Sequence, residues 1–329
     1  MLKRLDVRGV PQADLRQHLP RPSLGEAPPI DVVRAIIADV AARGDAALLE
    51  YTQRFDGVAL AELTVPRDEL AAAVDALDPA LRTALEEARD AIASYHRGQL
   101  QPEHVQDRGG VSVRARSVAV DRAGLYVPGG RAIYPSTVLM TAIPARVAGV
   151  ENLALCVPPD RSTGRVPTVT LAAAALAGVT EVHPVGGAQA IAAMAYGTES
   201  IEPVDVIVGP GNAYVALAKR EVAGSGRVSI PSAFAGPSEV VVIADETVPA
   251  TYAAIDLVVQ AEHGPGGLAW LLCWSEAVAD LVIGELERLV EAAPRRADIL
   301  ATLDGNGFAV LCDGPDQALA VAKIGRAHV

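Results

Sequence analysis

At 329 residues, half of them hydrophobic, the chain can bury two or more domain cores without disulfide or metal staples. Its 28 basic and 40 acidic residues give a net charge of −12, which opposes a polyphosphate backbone and excludes nucleic acid as the expected partner. No apolar run reaches the ~18 residues of a membrane span, and the charged start MLKRLDVRGVPQADLRQHL lacks a signal-peptide core, so a cytoplasmic protein with no membrane partner is expected.

Residues 1–29 contain several prolines and no sustained periodicity, and are expected to form an N-terminal arm lying on another domain or subunit. From Ile30 the pattern turns helical. Val33, Ile36, Ile37, Val40 and Leu48 fall near helical spacing to about Phe55, with Gly44 as a weak point, and a second helical stretch spans about 67–96 with a break at Pro79. Residues 99–122 turn polar and β-branched. Within them VSVRARSVAVD alternates at period two, as a half-buried strand does, and a domain boundary is expected there.

After Gly124 short apolar runs alternate with Ala-rich segments, the order of parallel strands joined by crossover helices. Strands are expected near 125–127, 152–157, 181–185, 205–208 and 240–243, with helices over 136–148, 167–177, 188–196 and 213–222. A further α/β unit resumes with strands at 268–274 and 308–312 and a helix at 276–293 between them. Cys156, Cys273 and Cys312 lie inside strand-like runs and read as core thiols, which argues against a cysteine nucleophile.

Three strands end in glycine and proline turns, at Val127-Pro128-Gly129-Gly130, Val185-Gly186-Gly187-Ala188-Gln189 and Val208-Gly209-Pro210-Gly211-Asn212. Ligands bind beyond the carboxyl ends of parallel strands, so these turns outline a cleft. Tyr126, Gln189 and Asn212 flank them and offer a phenol and two amides; taken singly, each can equally be a surface or capping group.

A second candidate region spans residues 229–267. It holds the turn Gly236-Pro237-Ser238-Glu239, a buried-looking strand, and a helix ending Gln260-Ala261-Glu262-His263 before Gly264-Pro265-Gly266. Gln260 and His263 are three residues apart and share a helical face. They are either metal or substrate ligands or ordinary residues of a last helical turn, where His suits the macrodipole. Two ligands fall short of a catalytic zinc site, which typically takes about three. His18, His96, His104 and His183 have no metal-ligand spacing to one another, and His183, inside EVHPV, reads as a core or strand-end histidine.

The motifs LYVPGGRAIYPSTVLMTAIPARVAGV, VGGAQAIAAMAYGT, VGPGNAYVALAKREV, IPSAFAGPSEVVVIAD and QAEHGPGG, in this order, resemble the histidinol dehydrogenase family across about 30–322. The resemblance implies oxidation of L-histidinol to L-histidine with two NAD⁺ and zinc. It implies an α/β fold of two Rossmann-like, aldehyde-dehydrogenase-like domains with parallel sheets, and a homodimer. The expected division is an arm over 1–29, a first domain from 30–123 with 240–329, and a nucleotide-binding domain over 124–239. By motif, Tyr126, Gln189 and Asn212 correspond to NAD-contacting positions, and Ser238, Gln260 and His263 to substrate-contacting positions. Gln260 and His263 also match two zinc ligands.

After Ala322 the family pattern runs into a Pro-Glu-His segment that supplies the general bases, followed by further zinc ligands. The residues here are Lys323 to Val329 instead, and His328 has no preceding Glu. The expectation is therefore a C-terminally incomplete fragment with no assigned catalytic residue, and residues 324–329 can be encoded by a sequence like a common sequencing adapter. The alternatives are a catalytically silent NAD-binding scaffold and a zinc-dependent dehydrogenase of a related amino alcohol or sulfonate.

Overall fold

A computed structural model describes residues 1–20, 30–129, 132–231, 238–264 and 266–325. The elements begin with β1 (Lys3–Asp6), α1 (Leu15–His18), α2 (Ile30–Arg43), α3 (Asp45–Asp56), α4 (Arg67–Asp75), α5 (Pro79–Arg97), β2 (His104–Arg108) and β3 (Val111–Ala115). Then come β4 (Arg122–Tyr126), α6 (Pro135–Val147), β5 (Asn152–Cys156), α7 (Thr168–Leu176), β6 (Glu181–His183), α8 (Gly187–Tyr196), β7 (Val206–Val208) and α9 (Ala213–Ala223). The last are β8 (Glu239–Ile243), α10 (Ala250–Ala261), β9 (Leu268–Cys273), α11 (Glu276–Ala292), α12 (Arg296–Asn306), β10 (Gly307–Leu311) and α13 (Pro315–Gly325). Contacts divide the chain into two units, Met1–Ala27 with Gly236–Val329, and Pro28–Ala235.

The unit Pro28–Ala235 is built on a parallel sheet in the order β6-β5-β4-β7. Successive side chains of a strand point to opposite faces, and β4 obeys this: Ala123 and Leu125 join the cluster formed with α4 to α7, while Tyr126 joins the cluster of α2, α3, α8 and α9. Helices therefore cover both faces. Helix α2 buries Val33, Ile36, Ile37 and Val40, one stripe at i, i+3, i+4 and i+7, each burial stabilising by roughly 1.5–3 kcal/mol. The expected weak point Gly44 separates α2 from α3, and Pro79 opens α5, where the Asp78 carboxylate caps the amides of Ala80 and Leu81 at 2.9 and 3.3 Å.

The grouping of 30–123 with 240–329 is not the one observed. Val33, Ile36, Val40 and Leu48 bury against Ile191 and Met194 of α8 and Val215 of α9, so this segment belongs with the central sheet. VSVRARSVAVD also differs from expectation. Its strand stops at Ala115, pairs antiparallel with β2, and is exposed along its whole length rather than half-buried.

In the unit formed by the chain ends, the sheet order is β1-β10-β9-β8, all parallel. The residues expected to form a loose arm supply β1, whose Lys3 to Asp6 pair with Phe308 to Leu311, and Val7 and Leu15 are fully buried. Strand β9 is buried along its length: Ala269, Leu271 and Cys273 face the cluster with α10 to α12, and Leu268, Trp270 and Leu272 face the one holding Leu15, Ala318 and Val321. Residues 21–29 of the arm, Gly130, Gly236, Pro237, Pro265 and His328 lie outside the described residues. Among the described residues no helix is long and apolar enough to cross a membrane.

Candidate active site

In Pro28–Ala235 the chain steps from β4 to β5 to β6 on one side, then crosses to the other side of β4 as β7. The switch between β4 and β7 is where a parallel sheet opens a crevice beyond its strand ends. A pocket of about 710 Å³ lies there, lined by Tyr126 of β4, Pro158 after β5, Gly187 and Gln189 after β6, and Asn212 after β7. Helices α2 and α3 add Val32, Ile36, Phe55 and Asp56. The volume falls within the ~300–1,000 Å³ of cofactor sites.

All three residues expected at a nucleotide are thus in one pocket. The Tyr126 hydroxyl accepts the Gly187 amide at 3.0 Å, which leaves its own proton for a ligand. Burial, far outweighing that amide, raises the phenol's pKa and keeps it protonated. Gln189 is 1% exposed, yet neither its amide oxygen nor its amide nitrogen has a partner among the described residues. Asn212 caps α9, accepting from the Val215 amide at 3.1 Å through Oδ1, so the capping role foreseen for it is real and its NH₂ group stays available.

The turn between β7 and Asn212 is held from two sides. Gly209 has φ +110°, and a Cβ there would stand 2.0 Å from the Tyr126 carbonyl oxygen, so only glycine lets β7 approach β4 this closely. Beneath it Lys219 of α9, 2% exposed, donates its ammonium to the Gly209 carbonyl, and burial lowers its pKa to about 8.

A second cluster belongs to the other unit. The Gln260 amide NH₂ donates to the Ser238 carbonyl at 2.7 Å, a carbonyl that also accepts the Leu268 amide at 3.2 Å. His263 Nδ1 faces the carbonyls of Val259 and Gln260 at 2.9 and 3.2 Å. Because carbonyls only accept, Nδ1 carries the proton and Nε2 keeps its lone pair. Gln260 Oε1 and His263 Nε2, one oxygen and one nitrogen from adjoining positions, are the donor atoms a borderline cation uses. The two residues therefore fit part of a zinc site. Among the described residues no group of three or more His, Cys, Asp or Glu completes it.

Other candidates resolve into structure. His183 is fully buried between the Leu63 carbonyl at 2.6 Å and Glu181 at 2.8 Å, a core histidine as expected. Cys156, Cys273 and Cys312 are buried, and burial raises all three thiols, Cys312 to about 11, so none is a nucleophile. Asp56 was not foreseen in the pocket. Its signal was an acid closing a helix directly before Gly57.

The switch-point pocket and the amide and imidazole pair define an α/β protein of the cofactor-dependent enzyme class. A model of the family described as histidinol dehydrogenase matches residues 20–328, and the chain belongs to that family, which uses NAD and zinc. A histidinol dehydrogenase of Streptomyces avermitilis is 45% identical over 328 residues, 98% of this chain and 74% of its own length. One of Parasynechococcus marenigrum is 50% identical over 283 residues, 85% of this chain and 64% of its own. The crystal structure of histidinol dehydrogenase from Elizabethkingia anophelis matches with a TM-score of 0.91 at 32% identity, covering 98% of this chain and 74% of that one. The chain thus spans about two thirds to three quarters of the length of these relatives.

Proposed function

We propose that the chain binds NAD⁺ in the switch-point pocket, that Gln260 and His263 contribute to a zinc site, and that the reaction served is oxidation of L-histidinol to L-histidine. The balance is one alcohol, one water and two NAD⁺ giving one carboxylate, two NADH and three protons. When bound, NAD⁺ supplies the hydride acceptor and zinc a Lewis acid for the amine and imidazole nitrogens of the substrate.

The chain's own residues then have separable tasks. Gln189 and Asn212 offer amide groups, and Tyr126 a hydroxyl proton, to the dinucleotide. Gln260 presents Oε1 because its NH₂ is tied to Ser238, and His263 presents Nε2 because Nδ1 is tied to the last turn of α10. Ser238 is exposed beside Gln260 and is assigned to the substrate. No described residue is assigned the general-base role. The homodimer implied by the resemblance is supported by the β2–β3 hairpin, whose Val111 and Val113 are 62% and 61% exposed, since an isolated hairpin is marginal in water.

The buried, unpartnered amide of Gln189 carries the nucleotide reading, because such a group costs about 1–3 kcal/mol until a ligand satisfies it. Calorimetric titration of the purified chain with NAD⁺ tests it. Gln189→Leu is expected to weaken binding about tenfold, and a wild-type chain that takes up no NAD⁺ refutes the reading. Nucleotide uptake with no zinc bound at all would favour a silent scaffold.

A further inference from the structure

We propose that Asp56 accepts a hydroxyl of the dinucleotide's adenosine ribose and so makes the pocket choose NAD⁺ over its 2′-phosphorylated form. The inference rests on the nucleotide reading above and deepens it.

Asp56 sits where the fold alone disfavours an acid. It is the last residue of α3, directly before Gly57 in the left-handed conformation at φ 74°, and the partial negative charge of a helix C-terminus repels a carboxylate. Its Oδ2 is buried and has no hydrogen-bond partner among the described residues. Burial raises its carboxyl pKa, the Arg161 charge opposing this only in part. A carboxylate disfavoured by its helix and by desolvation, with Oδ2 unpartnered among the described residues, is costly to the fold, so its use is sought in a ligand.

The neighbouring cations do not take up this role. Arg161 donates to the Phe55 carbonyl at 2.9 Å, and Arg54 lies over the Phe55 ring, 5.3 Å from its centroid. Neither forms an ion pair with Asp56. Val32, Ile36 and Phe55 line the same pocket as an apolar wall that a purine can cover, and Arg54 and Arg161 line it as well. The amide atoms of Gln189 and Asn212 belong instead to the helix starts that follow β6 and β7. An adenosine laid on the apolar wall brings its ribose to the carboxylate. That carboxylate can only accept, so it takes a hydroxyl and repels a phosphate in the same place.

The test compares the full chain with Asp56→Asn by calorimetric titration with NAD⁺, with NAD⁺ lacking the 2′-hydroxyl of its adenosine, and with NADP⁺. The wild type is expected to bind the deoxy compound and NADP⁺ at least about tenfold more weakly than NAD⁺, the loss of one charge-assisted hydrogen bond. Asp56→Asn is expected to lose about tenfold on NAD⁺ and little on the deoxy compound, so that discrimination collapses. Its melting temperature should stay level or rise, because the orphaned charge is gone. Unchanged NAD⁺ affinity with discrimination retained overturns this inference alone, and so does a variant that melts well below the wild type while still discriminating. Failure of the wild type to bind NAD⁺ overturns the nucleotide reading itself.

Discussion

Replacing Lys219 by methionine should change how stability depends on pH. Lys219 is 2% exposed and, among the described residues, donates to the Gly209 carbonyl alone. Burial lowers its pKa from 10.5 to about 8. Below about pH 8 the ammonium is charged in the native and the unfolded chain, and the native state bears the full cost of its burial. Between about 8 and 10.5 the native amine is neutral while the unfolded one still binds a proton, so stability rises with pH. Above 10.5 both are neutral and the rise ends. A shift of about 2.5 units corresponds to about 3 kcal/mol. Lys219→Met removes this slope but leaves the Gly209 carbonyl without its donor, a loss of about 1–3 kcal/mol. The variant should therefore be close to the wild type at pH 7 and less stable than it near pH 10. Urea unfolding of both proteins at half-unit intervals from pH 7 to 10.5 measures the difference, and taking the difference cancels titrations the two share. A gap that stays flat across this range would refute the argument. Because Lys219 holds the turn that presents Asn212, the variant should also bind NAD⁺ more weakly.

Two other outcomes are expected. His263→Ala should lower zinc affinity by at least about tenfold while moving the melting temperature little, since the side chain is exposed and, among the described residues, bonds only to carbonyls at the end of α10; zinc uptake followed by a metallochromic dye decides this, and unchanged uptake removes His263 from the site. Val113→Glu, on the exposed hairpin face that also carries Val111, should convert dimer to monomer in sedimentation velocity without unfolding the chain, and a wild type that sediments as a monomer removes the dimer proposal.

The strands of the unit Pro28–Ala235 were legible because each is an apolar run stopped by glycine or proline, and helical periodicity marked α2 because one face is buried and the other wet. β1 escaped notice as a mostly exposed edge strand, where neither face imposes alternation. α12 went unread because two of the four residues on its buried stripe, Thr302 and Asn306, are polar and only Ile299 and Leu303 are apolar. Neighbourhood in sequence also misled: nothing in α2 or α3 says which sheet they cover, and only packing against Ile191 and Met194 decides it. At the sites, spacing brought Gln260 and His263 together, and the turns found Tyr126, Gln189 and Asn212. The missing partners of Gln189 and Asp56 Oδ2 are properties of the packed pocket, absent from any linear pattern.

The pairing of Lys3 with Phe308 has a consequence for synthesis. A ribosome adding ~5–20 residues per second needs roughly 15–60 s to bring the second strand after the first. The segment Pro28–Ala235 contains every strand of its own sheet and can close while translation continues. Residues 3–19 meanwhile wait with Val7 and Leu15 uncovered, since their covering partners Trp270, Val310 and Val321 come later. Their exposure makes this window the one in which a chaperone or a neighbouring nascent chain has most access.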